Sequence, residues 1–370
     1  MKAGCTVTVI KRWWNDEPKP REQTLYAEGE FQDIKYVFAC GTPERPSSWT
    51  LRKILRVKGL VGELLVLRKI SKFSQIQGAL ISSGNFFDIL YYRLLSSLFS
   101  FPLVLTLVES FSAIIQTESI SARINAFLLD HFAPRLAHGI LPISEHLSST
   151  TQRTVPRKPI LKVPVLVDFD RFENIHKQSG EKYLLYCGSL GYLEVIRFIL
   201  KAFQYSALTK DVYLYLVVSG SPAHFDELSK DIANIKKAER VKVYTRLSDE
   251  QLTQLYTNAY ALLIPLRPIL RDIARFPHKI GEYCASGRPI ATSACGEIPL
   301  YFQHGKNAMI SQLFDAQSYA RIIDQLIADP ALAEKIGSEG RAVAAREFDY
   351  TLYGPRIKQF IASLAPRAQI

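Results

Sequence analysis

The residues best suited to bind an anion lie in one segment, "RFPHKIGEYCASGRPIATSACGEIP", which runs from Arg275 to Pro299. Proline is favoured in the first turn of a helix and glycine just after its end, so Pro277 and Gly287 predict a helix of about ten residues. The apolar runs before and after it predict buried strands. The segment therefore predicts a helix that begins at the edge of a sheet.

The first turn of that helix has the groups that a phosphate needs. The backbone N–H groups of His278, Lys279 and Ile280 are expected to lack intrahelical acceptors and to lie at the positive end of the helix dipole. Lys279 adds a mobile charge, and Arg275 lies just upstream. Glu282, one turn further along, can accept hydrogen bonds from vicinal hydroxyls such as those of a ribose. A diphosphate beside a ribose indicates a nucleotide.

A purely structural interpretation of these residues stays open. Every strand–helix unit has a helix amino terminus, and a single Lys or Glu on a helix is usually only solvated. On spacing alone, the nucleotide interpretation is one of two alternatives.

The elements that position this segment follow an alternating order. Short apolar runs alternate with longer helical patterns, which is typical of parallel sheets covered by helices on both faces, and thus of an α/β fold. With 370 residues the chain is long enough for two such domains. The runs that predict strands are Cys5–Ile10, Gly78–Ser82, Pro102–Leu107, Gly139–Ile143, Lys182–Cys187, Val212–Val218, Val241–Tyr244, Ala259–Ile264 and Pro289–Thr292.

The composition changes most sharply in the polar stretch "VDFDRFENIHKQSGE". We therefore predict an amino-terminal domain over residues 1–166, a linker over 167–181, a second domain over 182–346 and a closing helical segment over 347–370. A doubly wound ligand-binding domain usually opens with a strand and a glycine-bearing turn. This chain opens with "MKAGCTVTVI", so we expect one opening strand and its loop to be missing.

Charge and composition narrow the class of protein. Lys and Arg exceed Asp and Glu by 46 − 35 = 11, which favours phosphate, nucleic acid or an anionic membrane as partner. The basic residues are dispersed, which argues against nucleic acid. Five scattered cysteines indicate a reducing compartment and no metal site. The one membrane-like stretch, Phe86 to Val108, is interrupted by charged residues, serines and a proline, and predicts a buried helix followed by a buried strand.

The segment "FPHKIGEYCASGRPI" resembles the Phe-Pro-Ser-Lys-Leu-x-Glu-Tyr-x-Ala-x-Gly-x-Pro-Val pattern of the GT-B glycosyltransferases, in particular the large retaining family 4. "YLLYCGSLG" and "LYLVVSGS" are similar to the first two strands of that family's nucleotide domain, and "GEIPLYFQHGKNAMI" to the segment after the motif. The resemblance covers the whole chain, strongly from Lys182 to Phe348 and weakly before Gly139.

This resemblance implies two Rossmann-like domains, each a doubly wound parallel sheet, facing across a cleft, with the last helix crossing back to the first domain. It implies transfer with retention of configuration, by front-side attack without a metal or a cofactor other than the nucleotide-sugar co-substrate. Carried over by position, it assigns Glu282 to the donor ribose. It assigns the backbone from His278 to Gly281, with Lys279, to the donor diphosphate.

Four further assignments have plausible structural alternatives. The resemblance implies that Gly188 and Ser189 face the donor from the opposite wall and that Arg246 flanks the base, although each fits an ordinary loop as well. Glu109 ends a predicted strand on the acceptor side, where it is a candidate acceptor contact or a helix cap. No side-chain nucleophile is identified, so the catalytic residue is unknown.

Three positions depart from the family pattern. Ala274 stands where a glutamate that contacts the sugar is common, and Ser189 and Glu194 stand where a basic pair is expected. Neutralisation of the diphosphate then depends more on Lys279 and on nearby arginines such as Arg271.

The sequence thus predicts a retaining transferase that moves a sugar from a nucleotide-sugar to a glycan or lipid-linked acceptor in surface polysaccharide synthesis. We expect it to be cytoplasmic, with a contact to the anionic inner face of the membrane left open, and not to bind nucleic acid. The alternative is an inactive accessory protein of the same fold that binds nucleotide or glycan.

Overall fold

The computed structural model describes residues 4–15, 26–114, 119–173, 175, 180–207 and 211–364. The described residues before Val167 are called here the amino-terminal half. Their elements are β1 (Thr8–Lys11), β2 (Glu28–Phe31), β3 (Ile34–Phe38), α1 (Trp49–Phe73), β4 (Ala79–Ile81), α2 (Phe86–Leu98), β5 (Leu103–Leu107), α3 (Phe111–Ile114), α4 (Ile120–His131), α5 (Ala133–Leu136), β6 (Gly139–Pro142) and α6 (Glu145–Thr154). The strands form two three-stranded sheets, with strand orders β1-β3-β2 and β4-β5-β6.

The second of these sheets is parallel and buried at its centre. β5 pairs with β4 and β6, and its residues Leu103 and Val104 are fully buried. Such a continuous apolar run is what a parallel strand covered on both faces requires. The first sheet differs, because β1 runs parallel to β3 while β2 is antiparallel and exposed at all four residues.

The carboxyl-terminal half, from residue 182, contains the elements β7 (Lys182–Ser189), α7 (Leu193–Tyr205), β8 (Val212–Ser219), α8 (Pro222–Ala233), β9 (Val241–Tyr244), α9 (Asp249–Asn258), β10 (Ala261–Ile264), α10 (Leu270–Ala274), α11 (Lys279–Ala285), β11 (Ile290–Ser293), α12 (Ile298–Tyr301), β12 (Met309–Ser311), α13 (Ala316–Ala328), α14 (Pro330–Glu347) and α15 (Tyr350–Leu364). Its strands form one six-stranded parallel sheet in the order β12-β11-β10-β7-β8-β9. Because all six strands are parallel, their carboxyl ends lie along one edge, where such sheets bind ligands.

Helix α7 shows how this sheet is covered. Its residues Ile196, Ile199, Leu200 and Phe203 recur every three or four positions and are all buried. That spacing places them on one helix face, which packs against the sheet. The core of this half therefore follows directly from the apolar periodicity of its helices.

The chain passes between the two halves at two adjacent places. The N–H of Val167 donates to the carbonyl of Phe348 at 2.8 Å, and the N–H of Tyr350 donates to the carbonyl of Val167 at 3.2 Å. The final helix, α15, then lies against the amino-terminal half. The space beside Gly139 is filled by Phe360 and Leu364 so closely that a β-carbon on the glycine would lie 2.6 Å from Leu364.

The α/β class and the parallel sheets expected from the sequence are confirmed. One expectation is wrong: α2 is not a buried helix, because Ile89, Leu95 and Ser96 alone among its residues are buried while Phe87 and Leu98 are largely exposed. The strand that follows it, β5, is buried as expected. Within the described ranges, no helix is both long and apolar enough to cross a membrane.

Candidate functional site

The helix that carries the predicted anion site is fixed to the central strand of the larger sheet. α11 begins at Lys279, two residues after Pro277, and is seven residues long. Its Tyr283 is fully buried and accepts a hydrogen bond of 2.8 Å from the N–H of Cys187 in β7. This bond holds α11 at the carboxyl end of β7, the edge where a ligand is expected.

The backbone of the first turn is only partly open. The N–H of Ile280 donates to the carbonyl of Pro277 at 3.0 Å, and the N–H of Gly281 donates to that of His278 at 3.2 Å. The expectation that Ile280 has a free N–H is therefore wrong, because the turn before the helix already supplies an acceptor. Gly281 is buried, and a β-carbon there would lie 3.3 Å from Val167. A glycine at this position therefore also allows α11 to pack closely against Val167.

Glu282 lies between two cations. Its Oε2 accepts a hydrogen bond from Nζ of Lys279 at 2.8 Å, and its Oε1 accepts one from Nη1 of Arg171 at 3.0 Å. The carboxylate is mostly buried, whereas both cations are about one-third exposed. Each carboxylate oxygen retains a second lone pair, so this carboxylate can still accept bonds from a pair of hydroxyls.

Two arginines enclose an aromatic ring just beyond the end of β7. The guanidinium carbons of Arg271 and Arg275 lie 4.1 and 4.2 Å from the ring centre of Tyr192. The Nε atoms of both arginines are buried and have no hydrogen-bond partner within the described chain. Buried donors without partners are uncommon in proteins, so these two point to a missing acceptor such as a phosphate oxygen.

A buried carboxylate orients this cluster. Asp272 is fully buried and accepts bonds from Nε of Arg267 at 2.7 Å and from Nη2 of Arg275 at 2.9 Å. Burial alone would raise the pKa of Asp272, but the bonds and charges of the two arginines outweigh burial and lower it. Arg267 also pairs with Glu194, so the acid that replaces an expected base in the family pattern is neutralised by a base from another loop.

His278, just before α11, has an exposed side chain, although neighbouring protein groups displace part of its water. This desolvation lowers its pKa, and the charge of Lys279 acts in the same direction, while Glu282 opposes both. Its ring is therefore more strongly neutral near pH 7 than an ordinary histidine. An anion bound beside it would favour the protonated form.

The other sequence-predicted residues are distributed along the sheet edge or beyond it. Gly188 and Ser189 end β7, and Oγ of Ser189 accepts a bond of 3.1 Å from the N–H of Gly191, in the turn that leads to Tyr192. Arg246 follows β9, which is two strands away from β7 at the end of the sheet. Glu109 follows β5 in the other half. The structure therefore brings together His278, Lys279 and Glu282, but not Arg246 or Glu109.

Ala274, the position where a glutamate was expected, is fully buried. Its carbonyl accepts a hydrogen bond of 2.5 Å from Oγ of Ser144, which caps helix α6 in the amino-terminal half. The position therefore holds the two halves together and offers no side chain to a ligand.

Sequence reasoning missed three residues of this site, namely Arg171, Tyr192 and Arg267. One signal for Arg267 was present in the sequence, because cations recur every fourth residue at 267, 271, 275 and 279. Nothing local pointed to Arg171, since it reaches Glu282 from 111 positions away. Within the described residues no group of three or more His, Cys, Asp or Glu side chains could hold a metal ion.

Comparison with known proteins shows which family and which solved structures this chain resembles. The family model "Glycosyl transferases group 1" matches residues 168–343. Sucrose-phosphate synthase from Thermosynechococcus elongatus has a similar structure, with a TM-score of 0.76 over 98% of this chain and 90% of that chain at 17% sequence identity. The Anabaena protein HepE, solved in complex with UDP and glucose, gives a TM-score of 0.67 over 96% of this chain and all of its own at 15% identity.

A glycosyltransferase from Rickettsia africae is similar as well, with a TM-score of 0.66 and 13% identity over 91% of this chain and 86% of its own. No curated protein sequence matches the chain. Residues 168–343 therefore match the group 1 glycosyltransferase family, and the similar structures show that the chain has the GT-B fold. The matched residues include β7, α10 and α11, so the site described above lies in the part that carries the family pattern.

Proposed function

We propose that the chain is a retaining glycosyltransferase that takes its sugar from a nucleotide-sugar bound at α11. The observation that carries this proposal is Glu282, a carboxylate held at the carboxyl end of β7 beside Lys279 and Arg171. A carboxylate with free lone pairs suits two vicinal ribose hydroxyls. The cations around it suit the diphosphate that follows the ribose in every nucleotide-sugar.

The diphosphate is assigned to the arginine cluster and to Lys279. Arg271 and Arg275 each carry a buried Nε without a partner, and Tyr192 between them limits their movement. Fixed cations of this kind stabilise a leaving phosphate because they need no reorganisation during the reaction. The main chain of His278, with Lys279, completes the anion site.

In the proposed reaction, the bond between the anomeric carbon and the diphosphate oxygen breaks while the acceptor oxygen bonds to the same face of that carbon. The acceptor hydroxyl gives its proton to the departing phosphate oxygen. No protein nucleophile is required, so the protein acts by orienting both substrates, by excluding water and by stabilising charge on the diphosphate.

The acceptor is assigned to the amino-terminal half, as a glycan or a lipid-linked sugar in surface polysaccharide synthesis. The net charge of +11 supports a position at an anionic membrane face, where such acceptors are held. Glu109, at the end of β5, is the acceptor-side candidate. HepE is described with UDP and with UDP-glucose, which makes uridine diphosphate sugars the first donors to test.

Two observations support the alternative of an inactive accessory protein of the same fold. Ala274 presents no sugar-binding side chain, and the turn after β7 carries Ser189 and Glu194 where bases are common. Under this alternative the chain still binds nucleotide or glycan. Turnover of a sugar donor by the purified chain distinguishes the two functions.

Thermal unfolding with UDP, GDP, ADP and their sugar conjugates tests the donor site, because a ligand that binds only the folded state raises apparent stability. We expect one nucleotide series to raise the melting temperature, and Glu282→Ala to abolish most of that rise. The matched control is Glu339→Ala, which removes an exposed carboxylate from α14. Equal shifts in both variants would place the ribose elsewhere.

A further inference from the structure

Helix α1 has an apolar stripe on its solvent side. Ile54, Val57, Val61 and Leu65 are 63%, 63%, 52% and 56% exposed. Their spacing of three and four residues places them on one face of the helix. The buried residues of α1, Gly59, Glu63 and Leu67, recur every fourth position on the opposite face.

Basic side chains border this stripe. α1 contains seven lysines and arginines and one acid, Glu63, which is buried and bonded to Arg12 at 2.7 Å. The exposed surface of α1 therefore carries positive charge with no acid to offset it. Five of the seven lie on the same side of the helix as the stripe, namely Lys53, Lys58, Arg68, Lys69 and Lys72, whereas Arg52 and Arg56 lie on the side of Glu63.

Helix α2 extends the apolar surface. Phe87, Leu94 and Leu98 are 68%, 63% and 65% exposed and share one face at the same helical spacing. The hydroxyl of Tyr91, next to that face, donates to the carbonyl of Leu60 on α1 at 2.7 Å. This bond sets the two helices side by side, and their exposed apolar residues together are called here the α1–α2 face.

The charge of the α1–α2 face selects its partner. A second copy of the chain would bring two basic helices together, which electrostatic repulsion opposes. An anionic lipid surface instead offers negative headgroups to the lysines and an apolar interior to the aliphatic stripe. An amphipathic helix that lies flat in a membrane interface has this combination.

We propose that the α1–α2 face is the surface by which the chain docks on an anionic lipid bilayer. The proposal deepens the function proposed above, since it locates the membrane contact on the half assigned to the acceptor. A lipid-linked acceptor would then be presented beside the site, in the plane of the membrane.

Co-sedimentation of the full chain with phosphatidylcholine vesicles, with and without phosphatidylglycerol, tests the proposal. We expect binding to the anionic vesicles and little to the neutral ones. Val61→Glu should weaken that binding by about tenfold, because it replaces an apolar contact of the stripe with a charge. Leu313→Glu, at an exposed site in the carboxyl-terminal half, is the matched control and should bind as the unmodified chain does.

A second pair of variants tests the role of charge. Lys58→Glu with Lys69→Glu should lower binding by about fivefold or more per lysine, because each basic residue near an anionic surface contributes about 1 kcal/mol. Lys230→Glu with Lys335→Glu makes the same change on exposed helix surface elsewhere and should have a smaller effect. Equal losses from both pairs would overturn the proposal.

Light scattering of the same samples tests whether a second copy of the chain, and not a lipid surface, binds the α1–α2 face. A dimer that Val61→Glu converts to a monomer, without vesicle binding by either, would assign the α1–α2 face to a second copy and overturn the proposal. The nucleotide-induced thermal shift is measured on every variant and should be unchanged. Loss of vesicle binding can therefore be distinguished from loss of nucleotide binding at the donor site.

Discussion

Helices α7 and α1 use the same apolar periodicity in opposite ways. α7 directs Ile196, Ile199 and Phe203 into the core of the larger sheet, whereas α1 leaves Val57 and Leu65 in solvent. The helix α7 of the carboxyl-terminal half thus uses its apolar residues to form the core. Helix α1 of the amino-terminal half leaves some of its apolar residues exposed, where a partner can bind them. Apolar spacing alone identifies a helix but does not tell which of its faces is buried.

The largest difference in stability is expected when leucine is replaced by alanine at a buried site and at an exposed site. Leu263→Ala removes a fully buried side chain from β10 and should lower the free energy of unfolding by about 2–5 kcal/mol. Leu65→Ala, on the exposed stripe of α1, should change it by about 0.5 kcal/mol or less. Urea unfolding measures both. Similar losses would mean that Leu65 is buried in the folded chain.

A smaller loss of stability is expected from a substitution where α1 packs against the backbone of Ala39. A β-carbon on Gly62 would lie 2.0 Å from the carbonyl oxygen of Ala39, so the helix approaches that backbone too closely for any side chain. Gly62→Ala should therefore cost about 1–2 kcal/mol in urea unfolding, because the strain exceeds the gain in helix propensity. Gly180→Ala, which meets open space, is the control and should be nearly neutral.

The smallest effect compares the buried carboxylates of the two halves. The bonds and charges of Arg267 and Arg275 hold the pKa of Asp272 below its usual 3.8, so its ionised form stabilises the fold at neutral pH. Burial raises the pKa of Glu63 above its usual 4.5, although Tyr92 and Arg12 oppose that shift, so ionisation of Glu63 opposes folding. Asp272→Asn should thus cost more stability than Glu63→Gln at pH 7.

The pH dependence of that difference follows from the same signs. As the pH falls through the raised pKa of Glu63 to 4.5, the penalty of its ionisation disappears. Below 3.8 the contribution of Asp272 is lost as well. The difference between the two variants should therefore narrow from pH 7 to pH 3, as chemical unfolding at several pH values would show. A difference that grows on acidification would contradict both assignments.

The strands of the larger sheet could be predicted because parallel strands buried on both faces appear as short, nearly continuous apolar runs. "ALLI" in β10 is such a run, and β9 was predicted with its observed bounds, Val241–Tyr244. The hairpin of β2 and β3 was not predicted, because β2 reads "EGEF" and is exposed throughout. The depth of α2 was predicted wrongly, since an apolar composition is equally suited to a core and to a docking surface.

The candidate site was predictable where its residues are close in sequence. Lys279 and Glu282 lie one helical turn apart, and their contact follows from that spacing. The ion pair of Glu282 with Arg171 depends on how the chain around Arg171 lies against α11, and no local pattern encodes it. The site assignments themselves, including Arg246 and Glu109, remain predictions.

The paired hydrogen bonds at Val167 have a mechanical consequence. The chain passes between its two halves at this residue and again at Phe348 to Tyr350, and the two passages are bonded to each other. Rotation of one half about this bridge changes few backbone dihedral angles, whereas sliding would break both bonds. Because Gly281 packs against Val167, the start of α11 lies close to that bridge, so a rotation of the two halves about it displaces α11 least.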